Sequence, residues 1–195
     1  MRPIRSLLLA TAALPFALAA VPAVSQMTTT PMASEKTVMV GGAAMYPSKD
    51  IIQNAVNSKD HTTLVAAVKA AGLVPTLEGP GPFTVFAPTN EAFAKLPPGT
   101  VETLLKPENK AMLTKILTYH VVAGRLTAAD LMKMVKDGHG KAELKTVEGD
   151  PLSVTEKGGH LYISGEKGGV AEVSISNVMQ SNGVIDVVTS VLLPS

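Results

Sequence analysis

Histidine and carboxylate side chains are the candidates for metal or acid–base chemistry in this chain. The four histidines are His61, His120, His139 and His160. No pair of them has the i, i+4 spacing that places two metal ligands on one helix face. The chain contains no cysteine, which excludes sites built on thiolate. These residues therefore predict neither a metal site nor a cofactor.

Nucleophilic catalysis has no support in the sequence either. The chain lacks the G-x-S-x-G pattern that exposes a serine on a turn between a strand and a helix. None of its serines lies in another recognisable nucleophile context. We therefore expect a protein that is not an enzyme.

His120 has the strongest context of the four histidines, because it follows Tyr119 and precedes an apolar run. We expect residues 119–123 to form a strand. The ring then has two possible roles. It contacts a partner or ligand, or it is a core histidine hydrogen-bonded to Thr89 or Asn90. A buried ring nitrogen without a partner costs about 1–3 kcal/mol, which favours the second role.

Asp186 lies in a nearly continuous apolar run, residues 184–193, which predicts a central strand. Burial raises the pKa of a carboxyl group, so Asp186 is a candidate for an acid with a shifted pKa. The alternative is a carboxylate at an edge or facing outward, paired with a lysine or a backbone N–H. We favour this alternative.

Periodicity and helix caps predict the elements that position these side chains. Helical patterns cover residues 50–57, 62–71, 101–105, 107–117 and 127–136, and short alternating strands follow residue 141. Phe83–Ala87 has the pattern of a strand buried on both faces, and Pro88 ends it. Helices precede most strands without regular alternation. This order predicts an α+β fold with mainly antiparallel pairing.

The N-terminal residues predict export. Two arginines precede an apolar stretch, Leu7–Ala20, and an A-x-S cleavage site stands before Gln26, with the Ala19–Ala20 region as a second option. Residues 1–25 are thus predicted to be a signal peptide, and the mature protein to be secreted or periplasmic. The stretch is shorter than the roughly 20 apolar residues of a spanning helix. No membrane span is expected after cleavage.

Residues 26–45 are predicted to form a flexible leader rich in methionine and threonine, ahead of a domain over residues 46–195. The methionines of the leader could also bind Cu(I), but their irregular spacing favours a mobile segment. Removal of the signal peptide leaves one more acidic than basic residue. This balance gives no electrostatic basis for binding nucleic acid.

Three segments resemble signatures of the fasciclin (FAS1) family. The first motif is Phe83–Phe93, which includes Thr89 and Asn90. The second is Leu117–Val122, with Tyr119 and His120, and the third is Asn182–Pro194, with Asp186. Their order and spacing also match, over about residues 46–195.

The resemblance implies the FAS1 fold, a wedge-shaped antiparallel β-sandwich with helices packed along one side. It also implies an exported binding module for cell adhesion or for interaction with the envelope or extracellular matrix. The partner would be a protein or a cell-surface or matrix component. Because some members bind pigments, a carrier of a small hydrophobic ligand is the alternative. Candidate binding residues are Thr89, Asn90, Tyr119, His120, Asn177 and Asp186.

Two departures from the family pattern limit what can be transferred. Histidine is common where this chain has Asp186, and aspartate where it has Thr189. In animal adhesion members an Asp-Ile pair before the third motif is tied to integrin binding, whereas this chain has Asn177-Val178. Integrin recognition is therefore not expected.

Overall fold

The computed structural model describes residues 36–194, so the predicted signal peptide at 1–25 lies outside the described residues. The described chain begins with a hairpin of two short strands, β1 (Val38–Val40) and β2 (Ala43–Met45). Val40 and Met45 are buried in the core. The predicted flexible leader is therefore wrong over residues 38–45. Strands of three residues are too short to show an alternating pattern.

The helices are short and most begin at the positions that the sequence indicates. Asp50 caps the first helix by accepting from the Gln53 N–H at 2.8 Å. Thr127 and Asp130 form a complete capping box at the start of the last helix. The helices are α1 (Ile51–Ala55), α2 (Thr62–Ala71), α3 (Val74–Leu77), α4 (Asn90–Ala94), α5 (Thr100–Leu104), α6 (Lys110–Tyr119) and α7 (Ala128–Asp137). Single 3-10 turns cover Lys59–His61 and Pro107–Asn109.

The remaining strands form one sheet with the order β4-β3-β9-β8-β7-β6-β5. All neighbours pair antiparallel except β3 and β9, which are parallel. This confirms an α+β fold with mainly antiparallel pairing. The strands are β3 (Phe83–Pro88), β4 (Val121–Ala123), β5 (Lys141–Lys145), β6 (Pro151–Lys157), β7 (His160–Ser164), β8 (Val170–Gln180) and β9 (Gly183–Val188).

Two strand boundaries differ from the prediction. Tyr119 is the last residue of α6 and His120 is its C-cap, so β4 starts only at Val121. The last strand ends at Val188 rather than near residue 193. The apolar pattern runs past both boundaries because Tyr119 is buried although it lies in a helix, and because Val191 and Leu192 are buried in irregular backbone.

The long strand β8 folds the sheet into two halves. Its first residues pair with β7, and its second half pairs with β9, with register shifts between Val173 and Val178. A bridge between Val122 and Thr146 joins β4 to the end of β5, so the two ends of the sheet meet. The result is the expected wedge.

Two apolar clusters fill the molecule. One lies between β3 and β9 on one side and α1–α6 with the hairpin on the other. The second fills the wedge between the sheet halves beneath α7, and Leu152, Val154 and Ile163 in it are fully buried. The helices α1–α6 therefore cover one face of the sheet.

Candidate functional site

Thr89 and Asn90 of the first motif hold α4 in place. Thr89 caps α4 by accepting from the Ala92 N–H at 3.2 Å. The side-chain oxygen of Asn90 accepts from the Thr63 N–H at 3.0 Å, and its Nδ2 donates to the Lys59 carbonyl at 2.8 Å. The Asn90 amide thus fastens the start of α4 to the start of α2.

Tyr119 is fully buried and supports the turns of the second half of the sheet. Its hydroxyl donates to the Pro151 carbonyl at 3.1 Å and accepts from the Glu166 N–H at 3.2 Å. Burial raises the pKa of Tyr119, which keeps the phenol protonated. The hydroxyl thus connects α6 to the first residue of β6 and to the loop between β7 and β8.

His120 is 2% exposed, which confirms the expectation of a core histidine. Its Nε2 accepts from the Leu192 N–H at 3.0 Å, so the ring proton is on Nδ1 and is donated to the Ile116 carbonyl at 2.8 Å. The expected ring contact with Thr89 or Asn90 is wrong. The first motif contacts the backbone of His120 instead, where the carbonyl accepts from the Phe86 N–H at 2.9 Å.

Burial lowers the pKa of His120 to about 4, against the opposing effect of the Ile116 carbonyl. The ring is therefore neutral at neutral pH. This agrees with its geometry, since a protonated Nε2 would face the Leu192 N–H with a second donor.

Asp186 is fully buried on β9, so the outward or edge position favoured from the sequence is wrong. Its Oδ1 accepts from the Asn177 N–H at 2.9 Å, and its Oδ2 makes no hydrogen bond with a described residue. Burial raises the pKa of Asp186 to about 6, and the Asn177 N–H opposes this shift. Asp186 is thus a buried acid with a shifted pKa.

Asn177 links this carboxylate to α7. Its backbone is left-handed, with φ at 60°, at the irregular point of β8. Its side-chain oxygen accepts from the Ala128 N–H at the start of α7, at 2.8 Å. Both polar contacts of Asn177 point into the molecule.

The six predicted site residues therefore do not meet at one place. They form separate internal connections between helices, strands and the C-terminal segment. Sequence reasoning missed another residue of this kind, Asn182, which was identified only as the first residue of the third motif. Its side chain accepts from the Ile51 N–H at 3.1 Å and donates to the Leu77 carbonyl at 2.7 Å. No local pattern indicates these partners, which are more than 100 positions away in sequence.

An apolar cavity of about 50 Å³ lies between the helices and β3. Its wall is formed mainly by branched aliphatic side chains of α1, α2, α3, β3 and β9. Two histidines also line it, His61 and His120. The sequence analysis assigned His61 no role and did not connect it with a cavity.

His61 is 3% exposed and has one engaged ring nitrogen. Nδ1 lies 2.9 Å from the hydroxyl of the buried Ser58. Nε2 is buried and forms no hydrogen bond with a described residue. Burial lowers the pKa of His61, and the nearby Ala87 carbonyl and Asp60 carboxylate oppose this shift.

Within residues 36–194, no three histidine, aspartate or glutamate side chains are grouped so as to hold a metal ion. The helices of that same region include none that is long and apolar enough to cross a membrane.

The α+β wedge, its layer of helices and its inward-facing motif residues together define a domain with the FAS1 fold. A family model for the fasciclin domain matches residues 59–194. The chain belongs to the fasciclin family, which includes cell adhesion and extracellular proteins.

Relatives in bacteria and animals agree with this membership. The chain is 45% identical to Protein sll1483 of Synechocystis sp. over 172 residues, which cover 88% of this chain and 86% of that protein. It is 37% identical to immunogenic protein MPB70 of Mycobacterium bovis, covering 72% of this chain and 66% of that protein. It is 38% identical to transforming growth factor-beta-induced protein ig-h3 of rabbit, covering 76% of this chain but 20% of that protein.

A solved structure shows the same fold. A FAS1 domain pair from the insect protein Fasciclin I superposes with a TM-score of 0.67 and 20% sequence identity. The match covers 74% of this chain and 51% of that one.

Proposed function

We propose that this protein is an exported, non-enzymatic binding module that contacts a protein or matrix component of the cell surface or envelope. One observation carries the proposal, three exposed apolar side chains that lie on β1, directly after β2 and directly after α1. Met39 is 59% exposed, Tyr46 40% and Val56 47%. We call these three residues the hairpin surface.

Hydrogen bonds fix Tyr46 and the turn of the hairpin against α1 and the residues that follow it. Asn54 in α1 accepts from the Tyr46 N–H at 3.0 Å and donates to the Tyr46 carbonyl at 2.8 Å. The Lys59 N–H donates to the Gly41 carbonyl in the hairpin turn at 3.2 Å. A partner would therefore meet a fixed surface and would not have to order these residues when it binds.

The chemistry of the hairpin surface suits a protein partner. Tyrosine and methionine are enriched in protein interfaces, and tyrosine combines a large apolar ring with a polar hydroxyl. The amine of Lys49 lies 4.9 Å from the centre of the Tyr46 ring and adds a positive charge beside it. Membership of the fasciclin family adds support, because Fasciclin I is described as an insect cell adhesion molecule.

A pigment carrier is the weaker candidate. A preformed site for such a ligand would have a volume of about 300 Å³ or more. The wedge between the sheet halves is filled by fully buried side chains such as Leu152 and Ile163. The cavity beneath the helices is about 50 Å³, which is too small for a pigment.

The test is capture of a partner from the envelope and extracellular fractions of the native host by the mature protein. We expect Met39→Ser, Tyr46→Ser and Val56→Ser together to reduce capture at least tenfold. The control combines Met112→Ser and Val170→Ser, which are exposed to a similar degree, at 58% and 56%. The control should capture the partner as the parent does. Equal capture by the triple variant, or none by the parent, would refute the proposal.

A further inference from the structure

The strand β1 has an open edge on the side that faces away from β2. The turn between the two strands consists of Gly41 and Gly42, whose φ angles are 58° and 75°, as a two-residue type I′ turn requires. In such a hairpin the pair that flanks the turn, here Val40 and Ala43, exchanges both of its hydrogen bonds. The next pair does not, so the N–H and C=O of Met39 point away from β2.

These two backbone groups of Met39 have no hydrogen-bond partner among residues 36–194. At the turn, in contrast, the Gly41 carbonyl is already used, because it accepts from the Lys59 N–H at 3.2 Å. The open part of the edge therefore lies between the turn and the start of β1. The Met39 side chain is exposed there as well, at 59%.

The residues around this edge carry no charge that would hinder pairing with another chain. No charged residue occurs from Thr37 to Met45. The strand β5, at one end of the seven-stranded sheet, differs in this respect, since Lys141, Glu143 and Lys145 alternate along it and are exposed. Charged side chains on an edge strand hinder pairing, whereas an uncharged edge with exposed apolar residues favours it. Of these two strands, β1 is therefore the better edge for an added strand.

We propose that the partner presents an extended segment of its own chain, which pairs with β1 through the N–H and C=O of Met39. The pairing rests on the proposed function and narrows the partner to a protein. Backbone hydrogen bonds of this kind are the basis of β-strand addition, in which a bound segment extends an existing sheet edge. In the complex, β1 is the central strand of a three-stranded sheet.

Side chains must supply most of the contact area, because an edge of three residues provides few hydrogen bonds. Met39 projects to solvent on the face opposite to the buried Val40, since neighbouring side chains on a strand point to opposite faces. Alternate side chains of the added segment lie on the same face as Met39. The added strand thus continues the hairpin surface, and we expect apolar residues at its alternate positions.

Hydrogen exchange of the free mature protein tests the geometry of the edge without a partner. We expect the Met39 amide to exchange at least tenfold faster than the Val40 amide, because of the two only Val40 donates within the hairpin. A Met39 amide that is protected as well as that of Val40 would overturn the proposal.

The variants Met39→Pro and Met39→Ala separate the backbone of this residue from its side chain. Both remove the exposed side chain, but only proline removes the outward N–H, and proline is tolerated on an edge strand where the N–H faces solvent. In capture from the envelope and extracellular fractions of the native host, we expect Met39→Pro to retain at least tenfold less partner than Met39→Ala. Equal capture by the two variants overturns strand addition and leaves the proposed function intact. No capture by the parent overturns both.

The parent itself decides the question if Met39→Pro fails to fold. Hydrogen exchange is repeated on the captured complex, where we expect the Met39 amide to exchange at least tenfold more slowly than in the free protein. Equal exchange in the two states overturns the proposal. Sedimentation equilibrium of the parent alone should show a monomer. A dimer that Met39→Ala retains and Met39→Pro loses would make a second copy of this chain the occupant and would also overturn the proposal.

Discussion

Replacing His120 by alanine tests whether the second motif is structural. The change removes the acceptor of the Leu192 N–H and the donor to the Ile116 carbonyl, both of which are buried with the ring. An unpaired buried group costs about 1–3 kcal/mol. The lost ring also enlarges the adjoining cavity, which adds a cost that depends on its volume.

Together these effects predict that His120→Ala lowers the free energy of unfolding by roughly 2–4 kcal/mol, a large part of the 5–15 kcal/mol typical of a domain. Urea unfolding followed by far-ultraviolet circular dichroism is the assay, because the chain has no tryptophan to report by fluorescence. His160→Ala is the control. Its ring is exposed and paired with Glu172 at the surface, so we expect a change within about 0.5 kcal/mol.

The pH dependence provides a second readout for the same variant. The pKa of His120 is lowered from 6.5 to about 4 in the folded protein. As pH falls from 6.5 towards 4, His120 becomes protonated in the unfolded chain but stays neutral in the folded protein. The free energy of unfolding of the parent therefore decreases. This loss reaches about 3 kcal/mol. The stability difference between parent and His120→Ala should therefore shrink on acidification.

An unchanged melting temperature in His120→Ala, combined with loss of partner binding, would refute the structural role. A stability difference that stays constant from pH 7 to pH 4 would refute the assignment of a buried neutral ring.

Three further predictions concern other positions. The pKa of Asp186 is raised from 3.8 to about 6, so the parent should lose stability as pH rises through this range, by about 3 kcal/mol. Asp186→Asn removes this titration, so the free energy of unfolding of the variant relative to the parent should rise by about 3 kcal/mol between pH 4 and pH 8. Equal pH profiles of the two proteins in urea unfolding would contradict a raised pKa for a buried Asp186. Tyr119→Phe removes two hydrogen bonds of the hydroxyl and should cost about 1–3 kcal/mol, whereas the half-buried Tyr162→Phe should change stability by less than about 0.5 kcal/mol in thermal unfolding. Mass spectrometry of the exported protein should show a chain beginning at Gln26, and an exported chain that retains Met1 would contradict the predicted signal peptide.

Local features were the ones that the sequence could predict. The start of the helix predicted over residues 127–136 and the end of the helix predicted over residues 62–71 depend on neighbours within four positions, so each is visible in a short window. The strand Phe83–Pro88 was visible because both of its faces are apolar. The motif order was sufficient to indicate the family.

The β1–β2 hairpin was missed for a related reason. Its strands have three residues each, and its place in the domain depends on contacts with α1 and with residues after it. Short apolar runs flanked by glycine and threonine are as typical of a flexible leader as they are of a hairpin.

By itself, therefore, the sequence determined most of the helices and strands and that the motifs belong to one domain. Only the tertiary structure decided the roles of the polar residues. Leu192 is 72 positions from His120, and the partner of Asp186 depends on a bend in another strand. A buried polar group takes whichever partner the packed chain brings within reach. These hydrogen bonds join segments that are distant in sequence, so no local sequence pattern predicts them.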